Sequence, residues 1–183
     1  MTDPLFFDTD CLSAFLWTGR ESIVTQLYPG RVVIPQSVLD ELSRVCAPAF
    51  EERVASLAAD AAVEVCDIDL ASPALPLYRE MTSRPKPGFK VIGRGEAAAM
   101  AFAIAHGGIV ASNNFRDTAA YIRAFGLKYK TTGSILVEAY ENGLVSEAEA
   151  NAIWADMLAK GRCIGARSFT EFLAKPVDPL AGR

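Results

Sequence analysis

A chain of 183 residues with 51% apolar and 22% charged side chains has material for one packed domain, which excludes intrinsic disorder. Its formal net charge of −4 and pI near 5.1 exclude a nucleic-acid binder held by a global basic field, leaving only local basic strips for phosphate. No apolar run approaches the roughly 20 residues of a membrane-spanning helix.

In chain order, LFFD is a short apolar run that ends in a carboxylate, and MTDPLFF carries no basic residue ahead of it, so no secretory signal is expected. The next apolar stretch, CLSAFLW, has Asp10 as its expected helix N-cap. ESIVTQLY reads as a helix stopped by Pro29-Gly30, and RVVIP as a strand closed by a proline that cannot continue a central ladder. In QSVLDELSRVC, the residues Val38, Leu39, Leu42 and Val45 share one helical face. Pro48 opens a further helix, AFEERVASLAADA, before a third strand, VEVCDI. Prolines and glycines punctuate residues 71–95, where a short helix and then a loop are expected. GEAAAMAFAIAHG is an alanine-rich helix, and His106 lies at its C-terminal end as an expected cap. IVAS is a buried strand, RDTAAYIRAFG a helix with a glycine stop, and LKYK an edge strand. Three more helices follow, with Ser146 and Glu149 forming a capping box for the middle one, and the PVDPLAGR end reads as frayed.

Strands separated by helices imply an α/β fold with a parallel sheet covered on both faces. The four cysteines (Cys11, Cys46, Cys66, Cys163) show no paired spacing, and Cys46 and Cys66 read as small buried hydrophobes, which suits a reduced cytoplasmic setting. One histidine and dispersed cysteines make a zinc site untenable.

Ligand sites in open α/β sheets lie beyond the carboxyl ends of the strands. Asp8 stands at such an end, and Ser112, Asn113 and Asn114 stand at another, with Asp117 one helical turn later. The two groups meet at one rim if their strands are neighbours. Glu41, among apolar neighbours, and Glu96, at the first turn of the alanine-rich helix, can face the same rim. Each has a plainer reading: strand-end cap, exposed helix acid, or partner of a helix dipole.

The succession FFDTDCLSAFL, IPQSVLDEL, GRGEAAAMAFA and IVASNN resembles the ordered motifs of PIN-domain nucleases, over residues 5 to about 125. The trailing YKTTGSILVEAYENGLVSEAEANAIWADMLAKG is similar to a helical tail in a prokaryotic branch of that family. The resemblance implies a three-layer α/β/α sandwich with four or five strands over residues 1–130, a C-terminal helical extension over 131–176 packed on the same domain, and a tail at 177–183. It also implies a magnesium- or manganese-dependent endoribonuclease, often the toxin of a VapC-type toxin–antitoxin pair. Carried over by position, the metal-binding acids fall on Asp8, Glu41 and Glu96. Asn114 stands where a fourth acid is expected, with Asp117 placed to take over part of its role, so one strong metal site and at most one weak one are expected. Hard oxygen ligands suit both ions, and a bound metal can acidify water and stabilise a departing oxygen.

Thr9 and Ser112 are candidates for orienting water or substrate, and Lys90 and Arg94 for meeting RNA phosphates. The last two belong to a strip with Arg84 and Lys86; Lys128 and Lys130 form a second small cluster, and Phe89 either stacks on a base or anchors its loop. Phe15, Leu16, Trp17, Ile23 and Leu27 form either core or a surface for an antitoxin or a homodimer. Two other readings stay open: a decayed PIN-like binding protein, and a haloacid-dehalogenase-like phosphatase with Asp8 as nucleophile and Asp10 as acid/base.

Overall fold

The computed structural model describes residues 3–45, 49–175 and 180; Cys46, Pro48 and most of the expected tail lie outside them. Five strands build one sheet: β1 (Leu5–Phe7), β2 (Val32–Pro35), β3 (Glu64–Cys66), β4 (Ile109–Ala111) and β5 (Lys128–Lys130). Their order is β3-β2-β1-β4-β5, and every pairing is parallel. The central strands are apolar at every position because a parallel sheet is covered on both faces. The edges read differently, with Val65 of β3 exposed and Lys128 of β5 paired with Asp3 across 2.6 Å. Cys66 is only half-buried for the same reason, since its strand has a neighbour on one side alone. Burial still pushes its thiol up to about 12.

The period-2 alternation of a strand divides the core in two. Leu5, Phe7, Val32 and Ile34 face a layer made by α1 (Thr9–Thr18), α2 (Glu21–Leu27), α3 (Gln36–Val45), α4 (Ala49–Ala59) and the C-terminal helices. Phe6, Val33 and Val110 face α5 (Leu75–Ser83), α6 (Arg94–His106) and α7 (Phe115–Phe125). Helix α6 lies on β1, β2 and β4 together, and Ala97 to Ala103 are buried without a break. Small side chains let its backbone approach the sheet closely. His106 sits in its last turn, and its ring stacks on Phe102 at 5.9 Å.

The C-terminal helices are α8 (Thr132–Glu141), α9 (Glu147–Ala159) and α10 (Phe169–Ala174). Trp154, Phe169 and Phe172 join the same cluster as Leu12, Phe15 and Leu16. The expected Ser146–Glu149 capping box is formed. Gly133 leaves the space Phe172 fills, since a Cβ there would stand 2.6 Å from its ring. Phe15, Leu16 and Ile23 are therefore core, Leu27 packs against it half-buried, and Trp17 alone of the five is exposed.

The chain runs from β1 outward to β2 and β3, then returns to the other side of β1 as β4 and β5. The connections leave β1 and β4 in opposite directions, and a crevice opens beyond the carboxyl ends of this pair.

Candidate functional site

Asp8 follows β1 directly at that switch point, with its backbone N–H donating to Ala111 O across 2.9 Å. Its own backbone is extended, and its Oδ1 accepts the Cys11 N–H at 2.7 Å, so Asp8 is the N-cap of α1. This corrects the expectation for Asp10, which lies inside the first helical turn because the helix starts at Thr9. Asp10 turns toward Arg162, whose Nη1 lies 3.3 Å from Oδ1. The carboxylate that a haloacid-dehalogenase mechanism would use as acid/base therefore faces a guanidinium.

Asp8 is fully buried, and its Oδ2 has no hydrogen-bond partner among the described residues. An orphaned buried carboxylate oxygen is costly, and native structures hold few of them. Burial raises its carboxyl to about 8, with Asp10 and Glu96 adding to the rise, while Ser112 and the Cys11 N–H offset part of it.

Glu41, on α3, is anchored at both oxygens. Thr9 Oγ1 donates to Oε2 at 2.5 Å, and the Gly95 N–H donates to Oε1 at 2.9 Å. Gly95 is required for this approach. A Cβ there would stand 2.3 Å from Thr9 Oγ1 and 2.7 Å from Glu41 Oε2. Glu96 is N3 of α6, and its Oε2 accepts the Gly93 N–H at 3.0 Å in a capping geometry. Burial raises its carboxyl, against the pull of Asn114 and the Gly93 N–H. Glu41 and Glu96 are close: Glu96 Oε2 and Glu41 Oε1 would lie 3.3 and 3.9 Å from one and the same Cβ built on Gly93.

On the β4 side, Asn114 Nδ2 donates to Glu96 Oε1 at 2.6 Å and to Asp117 Oδ2 at 3.1 Å. The amide thus bridges two carboxylates. Lys90 Nζ lies 3.3 Å from Asp117 Oδ1, and the Asp117 carboxyl is lowered, mostly by Asn114 and then by Lys90. Ser112 is buried, and its Oγ accepts the Asn114 N–H at 3.3 Å. Asn113 faces away, exchanging bonds with the Thr132 hydroxyl and backbone N–H.

The remaining cations have mostly found partners. Arg94 donates to Tyr78 Oη at 3.0 Å, Lys86 meets Glu80 at 3.4 Å, and Lys130 is paired with Glu138. Phe89 packs on Tyr121 with ring centroids 4.6 Å apart, which anchors the loop. A cleft of about 280 Å³ adjoins the acids, and Thr9, Asp10, Trp17, Glu41, Glu96 and Arg162 are among the residues that line it. Arg162 is not legible as a site residue in sequence because the AKGRCIG segment offers no motif; only the packing of α9 on α1 brings it to this rim.

Hard carboxylate oxygens and the orphaned Asp8 Oδ2 suit a divalent cation in chemistry. Among the described residues, however, no three acids, histidines or cysteines converge tightly enough to enclose an ion. Glu41 and Glu96 spend all four oxygens on the protein's own donors. Taking up an ion at this rim requires some of those bonds to be exchanged.

None of the curated proteins compared with the chain matches it. Among solved structures, the chain is similar to one described as the crystal structure of DNA-bound VapBC from Salmonella typhimurium. That likeness has 20% identity and a TM-score of 0.48, and it covers 72% of this chain and 99% of the other. A family model described as PIN domain matches residues 5–176, which include both cores, all five strands and every residue of the acidic rim. The chain belongs to the PIN-domain family.

Proposed function

We propose that the protein is a metal-dependent endoribonuclease that hydrolyses RNA phosphodiester bonds, acting as the toxin of a VapC-type pair in the cytoplasm. The observation that carries the reading is Asp8, a buried carboxylate with an unpartnered oxygen at the switch point of the sheet. A carboxylate in that state gains most from a cation, because the ion compensates its desolvation and its repulsion from Glu96 together.

In this reading Asp8, Glu41 and Glu96 hold magnesium or manganese. When bound, the ion supplies an acidified water and neutralises charge that builds on the leaving oxygen. The chain's own groups do the rest. Thr9 and the Gly95 N–H hold the Glu41 carboxylate in one orientation. Asn114 positions Glu96 through Oε1, and the Ser112 side chain favours the charged form of Asp8. Asp117 with Lys90 closes the β4 side of the site, and Arg94 and Lys90 border the approach of the RNA backbone. The acidic rim calls for a basic partner segment when the enzyme is held inactive, which is the role of an antitoxin. Self-association is a further expectation. Among the described residues no helix is long and apolar enough to cross a membrane.

The test is manganese calorimetry at neutral pH beside cleavage of single-stranded RNA. Micromolar binding in the wild type, lost in Glu96→Gln, with cleavage abolished in Asp8→Asn, supports the reading. Folded protein that neither binds manganese nor cleaves RNA, yet co-purifies with the neighbouring gene product, identifies a decayed relative kept for its partner. The Asn114 amide at an acid position is the observation that favours this second outcome.

A further inference from the structure

The cleft beside the acids is lined by three carboxylates, Asp10, Glu41 and Glu96, which repel a phosphate, and by Arg162, the one basic side chain among the described residues that line it. Three contacts hold that guanidinium, all long: 3.3 Å to Asp10, 3.2 Å to Ser13 Oγ and 3.4 Å from Nε to Lys160 O. Its Nη2 donates to no described residue. The contrast is Arg53, which is paired with Glu21 through both Nε and Nη2 and donates to Leu16 O at 2.6 Å, and so has nothing left to offer.

Trp17 lines the same cleft, with 36% of its surface exposed in a chain whose other tryptophan, Trp154, is fully buried. Phe50 meets the Trp17 ring nearly at right angles, with centroids 4.7 Å apart, and fixes its orientation. Lys160 stands over the ring at 5.9 Å. A rigid exposed aromatic beside a loosely held guanidinium is the pairing that single-stranded nucleic acid uses, a base on the ring and a phosphate on the cation. The cleft's 280 Å³ lies at the small end of ligand pockets, about 300 Å³, and suits one residue of a polymer.

We infer that this cleft is a nucleotide subsite of the RNA substrate, in which Arg162 binds the phosphate next to the one cleaved and Trp17 stacks on the attached base. The inference rests on the nuclease reading and adds to it a part for the C-terminal segment, since Arg162 follows α9. Arg162 leaves Asp10 for the phosphate at little cost, because partly exposed ion pairs contribute little.

Tryptophan emission tests this on the full chain, because buried Trp154 is shielded and Trp17 alone meets solute. A single-stranded hexaribonucleotide is mixed with the protein in stopped flow, with manganese present, and read ahead of turnover. Quenching is expected in the wild type and absent in Trp17→Phe. Arg162→Gln is expected to weaken binding about tenfold and to lower the salt slope by about 0.7, the value for one phosphate contact on a single strand. Arg162→Lys, which keeps the charge, restores most of that slope. Thermal melts of Trp17→Phe and Arg162→Lys confirm folding.

RNA cleaved at wild-type KM by Arg162→Gln, without Trp17 quenching in the wild type, overturns the subsite and leaves the nuclease intact. Quenching by a basic peptide but not by RNA overturns it too, and assigns the cleft to a protein. Wild-type protein that neither binds nor cleaves RNA removes the nuclease reading, and the subsite with it.

Discussion

The two sides of the rim hold their acids in opposite ways. On the β1–β2 side, Asp8 is buried with an orphaned oxygen and its carboxyl raised to about 8. On the β4 side, Asp117 is a third exposed, meets an amide and an ammonium, and has its carboxyl lowered. One side is short of positive charge, and the other already has it. Asn114 joins the two, with a single NH2 group on both Glu96 and Asp117. An aspartate in its place would set a new carboxylate against both Glu96 and Asp117, a repulsion that a cation would relieve. The amide makes the β4 side self-sufficient, so the uncompensated carboxylate is Asp8.

Asp8→Asn removes the contrast at its deep end and should have the greatest consequence, lowering RNA cleavage by at least ~100-fold, on the scale of losing a principal catalytic group. The same variant should be more stable than the wild type above neutral pH without metal. The sign follows from the raised pKa. A group whose folded pKa exceeds its unfolded value of 3.8 favours folding fully below 3.8, and that support is lost as pH rises through about 8. Metal-free wild type should therefore lose a few kcal/mol, at most ~5, between those pH values. Asparagine removes that loss, and manganese should flatten it in the wild type. Denaturant melts at pH 5 and 8.5, with and without manganese, measure all three. Equal pH dependence in Asp8→Asn and wild type would remove Asp8 as its source.

Gly95→Ala should come next. Its methyl group must displace Thr9 and Glu41, which an overpacked site resists at a cost of about 1–3 kcal/mol. A lower midpoint and weaker manganese binding are expected together, by melt and calorimetry. An unchanged midpoint would mean that α6 can move away from α3.

Asn114→Asp takes away the self-sufficiency of the β4 side. Without metal, a new carboxylate between Glu96 and Asp117 should destabilise the protein by about 1–2 kcal/mol, and manganese should bind about tenfold more tightly, both by repulsion relieved on binding. Unaltered affinity would mean that Asn114 already lends its oxygen to an ion. Lys90→Met should be nearly silent on stability, within ~0.5 kcal/mol, since its salt bridge is exposed. Its effect should appear in KM for RNA and in the salt dependence of cleavage.

The strands and helices were legible because their signals are local. Apolar runs, glycine stops and capping residues act within a few positions, and the Ser146–Glu149 box and the Gly126 stop both form as expected. The family was legible for a related reason: four motifs in order carry it, and the family match spans them. The N-cap of α1 lies two residues before Asp10, the cap expected from sequence, because Asp8 and Asp10 are equally good caps locally and the end of β1 selects the first.

Residue order was enough for the inventory: a parallel α/β fold, and acids at Asp8, Glu41, Glu96 and Asp117 with an amide at Asn114. How that inventory is paired came from packing alone. Asp8 keeps an empty oxygen, Asn114 spans two carboxylates, Gly95 lets Glu41 touch the α6 backbone, and Arg162 arrives at Asp10 from 152 residues away. Hydrogen bonding and burial depend on distances between elements. Those distances follow from strand order and helix packing, and no local stretch of sequence encodes them.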